Sequence, residues 1–214
     1  ANFELVAGNE ITIYFKYANT YSSGAVQLNV NGKGAKNIWV ANAVTSSTNQ
    51  LLWGKDAYIT FKYDGAQFIV IGEPRSWYGA STTAASTAAK TDTTAVTGCV
   101  ICKGAKIELA MSNNNTSTSA TLNIQSTGAK NIYYGNTTTR PTVDNGHSWL
   151  GASTATFTFD GQYYRMAGQT VISGDSITTG TISANRLNIS DIISNGSIAV
   201  VSQIPTDVSD LNND

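Results

Sequence analysis

Apolar and polar positions alternate along this chain in short runs. Ile11, Ile13, Phe15 and Tyr17 alternate with Thr12, Tyr14 and Lys16, and Val26, Leu28 and Val30 alternate with Gln27 and Asn29. A period of two predicts strands with one buried face. Ile38 and Val40, then Leu51, Leu52 and Trp53, then Ile59, Phe61 and Tyr63, and finally Phe68 and Val70 continue the series. Asn31-Gly32 and Asp64-Gly65 separate strands with residues suited to tight turns. No stretch carries a helical period, so about six strands are expected in some 70 residues.

The series then repeats. Gly34-Ala35-Lys36-Asn37-Ile38-Trp39-Val40 returns as Gly128-Ala129-Lys130-Asn131-Ile132-Tyr133-Tyr134, an offset of 94 that also relates Leu28 to Leu122. Trp53 and Trp149, Phe61 and Phe157, and Asp64-Gly65 and Asp160-Gly161 are each 96 apart. The two-residue difference falls in loops, so the strands are the retained scaffold. The second series runs through Ile107, Leu109, Met111; Leu122, Ile124; Ile132, Tyr134; Trp149; Phe157, Phe159; and Tyr164, Met166. The fold class expected is all-β, as two tandem antiparallel β-sandwich-like modules over residues 1–75 and 76–170. A leader, Ser81 to Thr91, precedes the second module. Its Thr and Ser content favours an extended segment over the helix that its alanines alone would suggest. The first module shows no such leader, and the chain reads as an interior portion of a longer polypeptide.

Residues 171–214 are of another kind. Ile172, Ile177, Ile182, Leu187 and Ile192 recur every five residues among Gly, Ser and Thr. That spacing fits neither a helix nor a simple strand, and one copy buries too little to order itself. An extended C-terminal stalk in which several copies wrap around one another is expected.

Charged residues make up 13% of the chain and the formal net charge is -1, which leaves no electrostatic footprint for nucleic acid. No apolar run approaches the roughly 20 residues of a spanning helix, and membrane insertion is not expected. The cysteines, Cys99 and Cys102, stand opposite the apolar Phe3 and Val6 of the first module, which marks them as ordinary core or half-buried thiols rather than a redox pair. With His147 the sole histidine, a four-ligand zinc site has too few donors. No cofactor or metal is implied.

Ile177-Thr178-Thr179-Gly180-Thr181-Ile182-Ser183-Ala184-Asn185-Arg186-Leu187 resembles a segment of tail-tip and tail-fibre proteins of bacteriophages and prophages. Ile204-Pro205-Thr206-Asp207-Val208-Ser209-Asp210-Leu211-Asn212-Asn213-Asp214 is similar to another motif of such proteins, which usually has Lys at the position of Asp207. The modules also look like repeats found there: Ser86-Thr87-Ala88-Ala89-Lys90-Thr91 leads to Leu122-Asn123-Ile124, Gly128-Ala129-Lys130 and Phe159-Asp160-Gly161. The resemblance implies a homotrimeric virion appendage beside other tail or baseplate proteins and fixes no ligand; the function expected is attachment of the phage to the host cell surface through cell-wall polysaccharide. A spacer carrying a separate receptor-binding domain is the alternative, and a polysaccharide-degrading enzyme a remote one.

An enzyme is not expected. His147 lies in a polar loop with Asp144 and Ser148, but a triad is assembled from separate segments, and the first module has no counterpart. Asp64 and Asp160 are accounted for as turn residues. Sugar binding by aromatic faces, with amides and hydroxyls taking the sugar's own hydroxyls, suits this composition better. Trp53 and Trp149 read as core. Trp39 and Tyr133, set by alternation opposite the Ile38/Val40 and Ile132/Tyr134 faces, are the carbohydrate-binding candidates, with Tyr134 beside them and Trp77 and Tyr78 at the module junction.

Overall fold

The computed structural model describes residues 3–20, 23–72, 75–142 and 147–167. All of them belong to the first of two units, Ala1–Ser173 and Gly174–Asp214. The expected stalk therefore lies outside the described residues. Within them the chain is all-β, and no residue is helical.

The first repeat holds β1 (Glu10–Phe15), β2 (Gln27–Leu28), β3 (Lys36–Val40), β4 (Ala43–Val44), β5 (Leu52–Trp53), β6 (Ala57–Tyr63) and β7 (Phe68–Ile71). The second holds β8 (Ser76–Ser81), β9 (Ala89–Thr91), β10 (Val100–Ile101), β11 (Lys106–Met111), β12 (Thr121–Asn123), β13 (Lys130–Tyr134), β14 (Ser153–Phe159) and β15 (Tyr164–Ala167). The main path of the first sheet runs β1-β6-β7-β3-β2, and β4 pairs with β3. The second sheet runs β8-β11-β14-β15-β13-β12-β9. The repeat offsets equate β11, β14, β15, β13 and β12 with β1, β6, β7, β3 and β2. The second sheet is thus the main path of the first, without a counterpart of β4, with one strand of the 76–91 segment added at each edge.

The sequence reading needs correcting on the pairing, because the sheets are mixed rather than antiparallel. β3 runs parallel to β7, β13 to β15, β8 to β11 and β9 to β12. Alternation fixes which side chains face inward but not strand direction. Here the excursion between β3 and β7 is long enough to carry the chain back to the starting end, which a parallel pair requires. In each repeat the two ends of the shared path contribute to one core: Ile11 and Leu28 in the first, Ile107 and Leu122 in the second. The sheets consequently curl in a β-solenoid-like arrangement. The leader is not helical, but it is extended only at Ser81 and over Ala89–Thr91, with a turn between closed by the Thr87 amide on Ala84 O at 3.2 Å. Tyr17 is 74% exposed rather than inward, because β1 ends at Phe15 and the alternation lapses there.

The repeats interlock through a ribbon of two short strands. β5 pairs antiparallel with β10, Val100 opposite Trp53 and Ile101 opposite Leu52. Leu51, Trp53, Val100 and Cys102 enter the first core, while Leu52, Cys99 and Ile101 enter the second. A strand's side chains alternate faces, so a ribbon between two cores must be apolar on both. Leu51-Leu52-Trp53, an uninterrupted apolar run, meets that demand. Backbone bonds extend the seam: the Gly54 amide donates to Cys99 O at 2.9 Å and the Gln50 amide to Gly161 O at 2.9 Å. Gly161 has a φ of 105° and no room for a side chain, since a Cβ there would lie 2.5 Å from Thr48 O. Burial pushes the Cys99 thiol up to about 12, only partly offset by the bond from Gly54, so it stays protonated at neutral pH.

Gly34 and Gly128 precede β3 and β13 with φ of 93° and 90°, a conformation that glycine adopts without steric cost. That explains the glycine at the head of the repeated stretch. Lys90 on β9 is buried and donates to Ala84 O at 3.0 Å and Ala85 O at 2.9 Å, with its ammonium 5.8 Å from the centre of the Trp149 ring. Burial lowers its pKa below the ordinary 10.5.

Leu52 belongs to the first repeat in sequence and to the second in packing. Leu52→Ala is expected to cost about 3 kcal/mol, as for a buried leucine. Residue-resolved hydrogen exchange should then show protection lost in β11 and β14. Loss confined to residues 36–71 would contradict this packing.

Candidate functional site

The outer faces of the two curled sheets carry the aromatic side chains that alternation sends away from the cores. Trp39 on β3 is half-buried between its register neighbours Ile69 on β7 and Val44 on β4. Tyr133 takes the equivalent place on β13, opposite Arg165 of β15. Its ring meets Tyr163 edge to face at 5.0 Å, with the Arg140 and Arg165 guanidinium carbons 4.8 Å and 5.2 Å from its centre. Asn131 Nδ2 donates to the Tyr133 hydroxyl at 3.1 Å.

Two of these groups are anchored by the β14–β15 hairpin turn. Arg165 Nε donates to Asp160 Oδ2 at 2.5 Å, and Asp160 Oδ1 accepts the Gln162 and Tyr163 amides at 2.9 Å and 2.7 Å. Partial burial works to raise the Asp160 pKa, but the two amides and Arg165 outweigh it and hold the carboxyl below 3.8. Asp64 makes the same turn in the first repeat, accepting the Ala66 and Gln67 amides at 2.9 Å each. Those two amides hold its carboxyl below the usual range. Both aspartates are turn residues, as expected.

The remaining candidates sit apart from this group and from one another. Tyr134 lies on the opposite side of β13 from Tyr133, half-buried and stacked on His147 with ring centres 3.7 Å apart. Trp77 packs against the second core and donates its indole N–H to Asp92 Oδ2 at 2.9 Å. Tyr78, its neighbour on β8, points the other way and is 67% exposed. Ser148 is buried and donates its hydroxyl to Asn115 O at 2.9 Å. Asp144 lies outside the described residues. Among the described residues no group of three or more His, Cys, Asp or Glu side chains converges as metal ligands would.

The most exposed aromatic pair escaped the sequence reading. Tyr14 on β1 and Tyr58 on β6 stand directly opposite each other, with ring centres 5.1 Å apart. They are 48% and 60% exposed. The Tyr14 hydroxyl donates to Asp56 Oδ1 at 2.5 Å, and this bond raises the tyrosine pKa. Thr12 and Thr60, one step along the same face, share a hydroxyl–hydroxyl bond of 2.9 Å. The signal was present, since Tyr14 and Tyr58 each flank inward isoleucines. Only the strand register shows that they meet. In the second repeat Ala110 and Thr154 replace them and line an open depression of about 500 Å³. A hollow of about 370 Å³ near Lys55, Asp92, Asn123 and Gln125 has no aromatic wall.

No protein-family profile, curated protein or solved structure matches the chain. The geometry alone therefore carries the chemistry: flat aromatic surfaces on rigid strands, with hydroxyl, carboxylate and guanidinium groups beside them.

Asp160 contributes stability above the unfolded-state value of 3.8, and that contribution is lost as pH falls through its lower folded-state value. Asp160→Asn keeps an acceptor for the turn but removes the charge facing Arg165. It is expected to cost about 1 kcal/mol at pH 7 and to flatten the acid limb of stability below that value, measured by urea unfolding between pH 2 and 7.

Proposed function

We propose that this chain is a structural and adhesive segment of a bacteriophage tail tip or tail fibre, attaching the virion to host cell-surface polysaccharide through its outer sheet faces. The observation that carries this reading is the Tyr14–Tyr58 pair. Two exposed rings on neighbouring strands, tilted 41° to one another, offer aromatic surface to a sugar ring, and Asp56, Thr12 and Thr60 supply polar partners along its edge. Aromatic faces suit the C–H face of a pyranose, and rigid strands hold them without ordering cost on binding. Tyr133 between two guanidiniums offers a second, more cationic surface, and Trp39 a third that is mainly apolar.

Each contact is shallow, so attachment rests on copy number. In the homotrimer that the resemblance implies every surface is displayed three times, and multivalency raises apparent affinity by about 10² to 10⁴. The phage setting rests on the sequence resemblance and on a repeat architecture suited to an elongated appendage. The spacer reading has its own support. The shared ribbon and the absence of a deep aromatic-lined pocket among the described residues suit a rod that carries another domain. Either way the protein is placed on the virion exterior, beside other tail or baseplate proteins.

The full chain is expected to bind cell-wall polysaccharide fractions in sedimentation and glycan-array assays. Tyr14→Ala with Tyr58→Ala should weaken that binding at least about tenfold, the loss of roughly 1.4 kcal/mol of aromatic contact. Trp39→Ala with Tyr133→Ala should weaken it less. Binding unchanged by all four substitutions would end the platform reading, and no binding to any wall fraction would leave the spacer.

A further inference from the structure

The first repeat offers a strand-accepting edge whose partner is visible in the second. In the second repeat β8 lies parallel to β11, from Ser76 opposite Lys106 to Ser81 opposite Met111, and β9 lies parallel to β12. Trp77 of β8 packs onto the core beneath. Among the described residues β1, the counterpart of β11, pairs only with β6, and β2, the counterpart of β12, only with β3.

Burial records the difference position by position. Ile107, Leu109 and Met111 are buried, at 0%, 0% and 3% exposure, whereas their equivalents Ile11, Ile13 and Phe15 are half-buried. Ala120 and Leu122 are buried, whereas Val26 and Leu28 are half-buried. Side chains of like character at equivalent places remain partly wet where no 76–91-type segment covers them. Edge polarity follows from the same comparison. The Lys106 and Ser112 amides donate to Arg75 O and Ser81 O at 3.3 Å and 3.0 Å. Their equivalents are Glu10 and Lys16, so the amides of Glu10, Thr12, Tyr14 and Lys16 face the open edge, and those of Ile11, Ile13 and Phe15 face β6.

We infer that the β1 and β2 edges of the first repeat bind an extended polypeptide segment of the 76–91 type, running parallel to β1 with an aromatic side chain at the place of Trp77 and small residues at those of Gly79 and Ser81. The partner is a module leader of this type, held by strand addition: main-chain bonds give affinity, and the aromatic gives register. Small residues suit the Gly79 position because a Cβ there would lie 2.7 Å from Asp92 Oδ1, 2.8 Å from Thr94 Oγ1 and 3.0 Å from Leu109 Cδ2, the last being the equivalent of Ile13, so a larger side chain would have to displace its neighbours. Such an edge is an open template for pairing.

The test adds a synthetic peptide of residues 75–92 to the full chain and follows amide hydrogen exchange. Saturating peptide should slow exchange at Thr12, Tyr14 and Lys16 at least about tenfold, and leave Ile11, Ile13 and Phe15, already bonded to β6, little changed. Thr12→Pro removes one edge-facing donor without touching the β6 ladder, and the same peptide carrying Trp77→Ala removes the anchor while the protein stays native. Each should weaken binding about tenfold or more. Three results overturn the inference: no exchange effect at saturation, protection of Thr12, Tyr14 and Lys16 in the chain alone at every concentration, or protection that appears without peptide as the protein is concentrated, which marks β1-to-β1 pairing of two copies.

Discussion

The structure depends on a ribbon four residues in extent, β5 and β10, that serves two cores at once. Leu52 and Ile101 face one way, Trp53 and Val100 the other, and each residue is buried by the repeat it points into. Two beads on a flexible string would each need a closed core of their own. Here neither core is complete without a strand from the other repeat. A repeat that cannot bury its apolar face alone is stabilised by its neighbour, and stability becomes a property of the interface as much as of the unit. The crowding at Gly161 and Gly54 against the facing repeat shows how close the approach is.

This coupling explains which parts of the fold were legible in the chain. The inward positions Ile38, Val40, Ile59, Phe61, Phe68 and their counterparts were readable because one-sided strands print a period of two. Leu51-Leu52-Trp53 broke that period. It was visible as an apolar run, but a run does not name the two cores it serves. Strand direction was equally hidden, since parallel and antiparallel strands share the same alternation. Asp64 and Asp160 were legible as turns because their carboxylates bond amides two and three residues on, an interaction local enough to write itself into the sequence.

The surface chemistry was half legible for a related reason. Alternation placed Trp39 and Tyr133 on the outer side, and both are there. It also placed Tyr14 outward, but its pairing with Tyr58 depends on the β1–β6 register, a relation between residues 44 apart. Trp77 and Tyr78 illustrate the limit from the other side: adjacent in sequence, they face opposite sides of β8, one on the core and one in solvent. What unites the exposed aromatics is rigidity. They stand on strands anchored by the cores, and the ribbon fixes one repeat's display relative to the other's.

That fixed relation is the central claim, and denaturation observed at both cores tests it most directly. Trp53 and Trp149 lie in the first and second cores, and their indole N–H resonances can be followed separately as the full chain is titrated with urea. Two-state loss of both signals at one midpoint and with one slope is the result expected of interlocked repeats. Separate midpoints, with the Trp149 signal native after the Trp53 signal has gone, would show two independent domains and contradict the account.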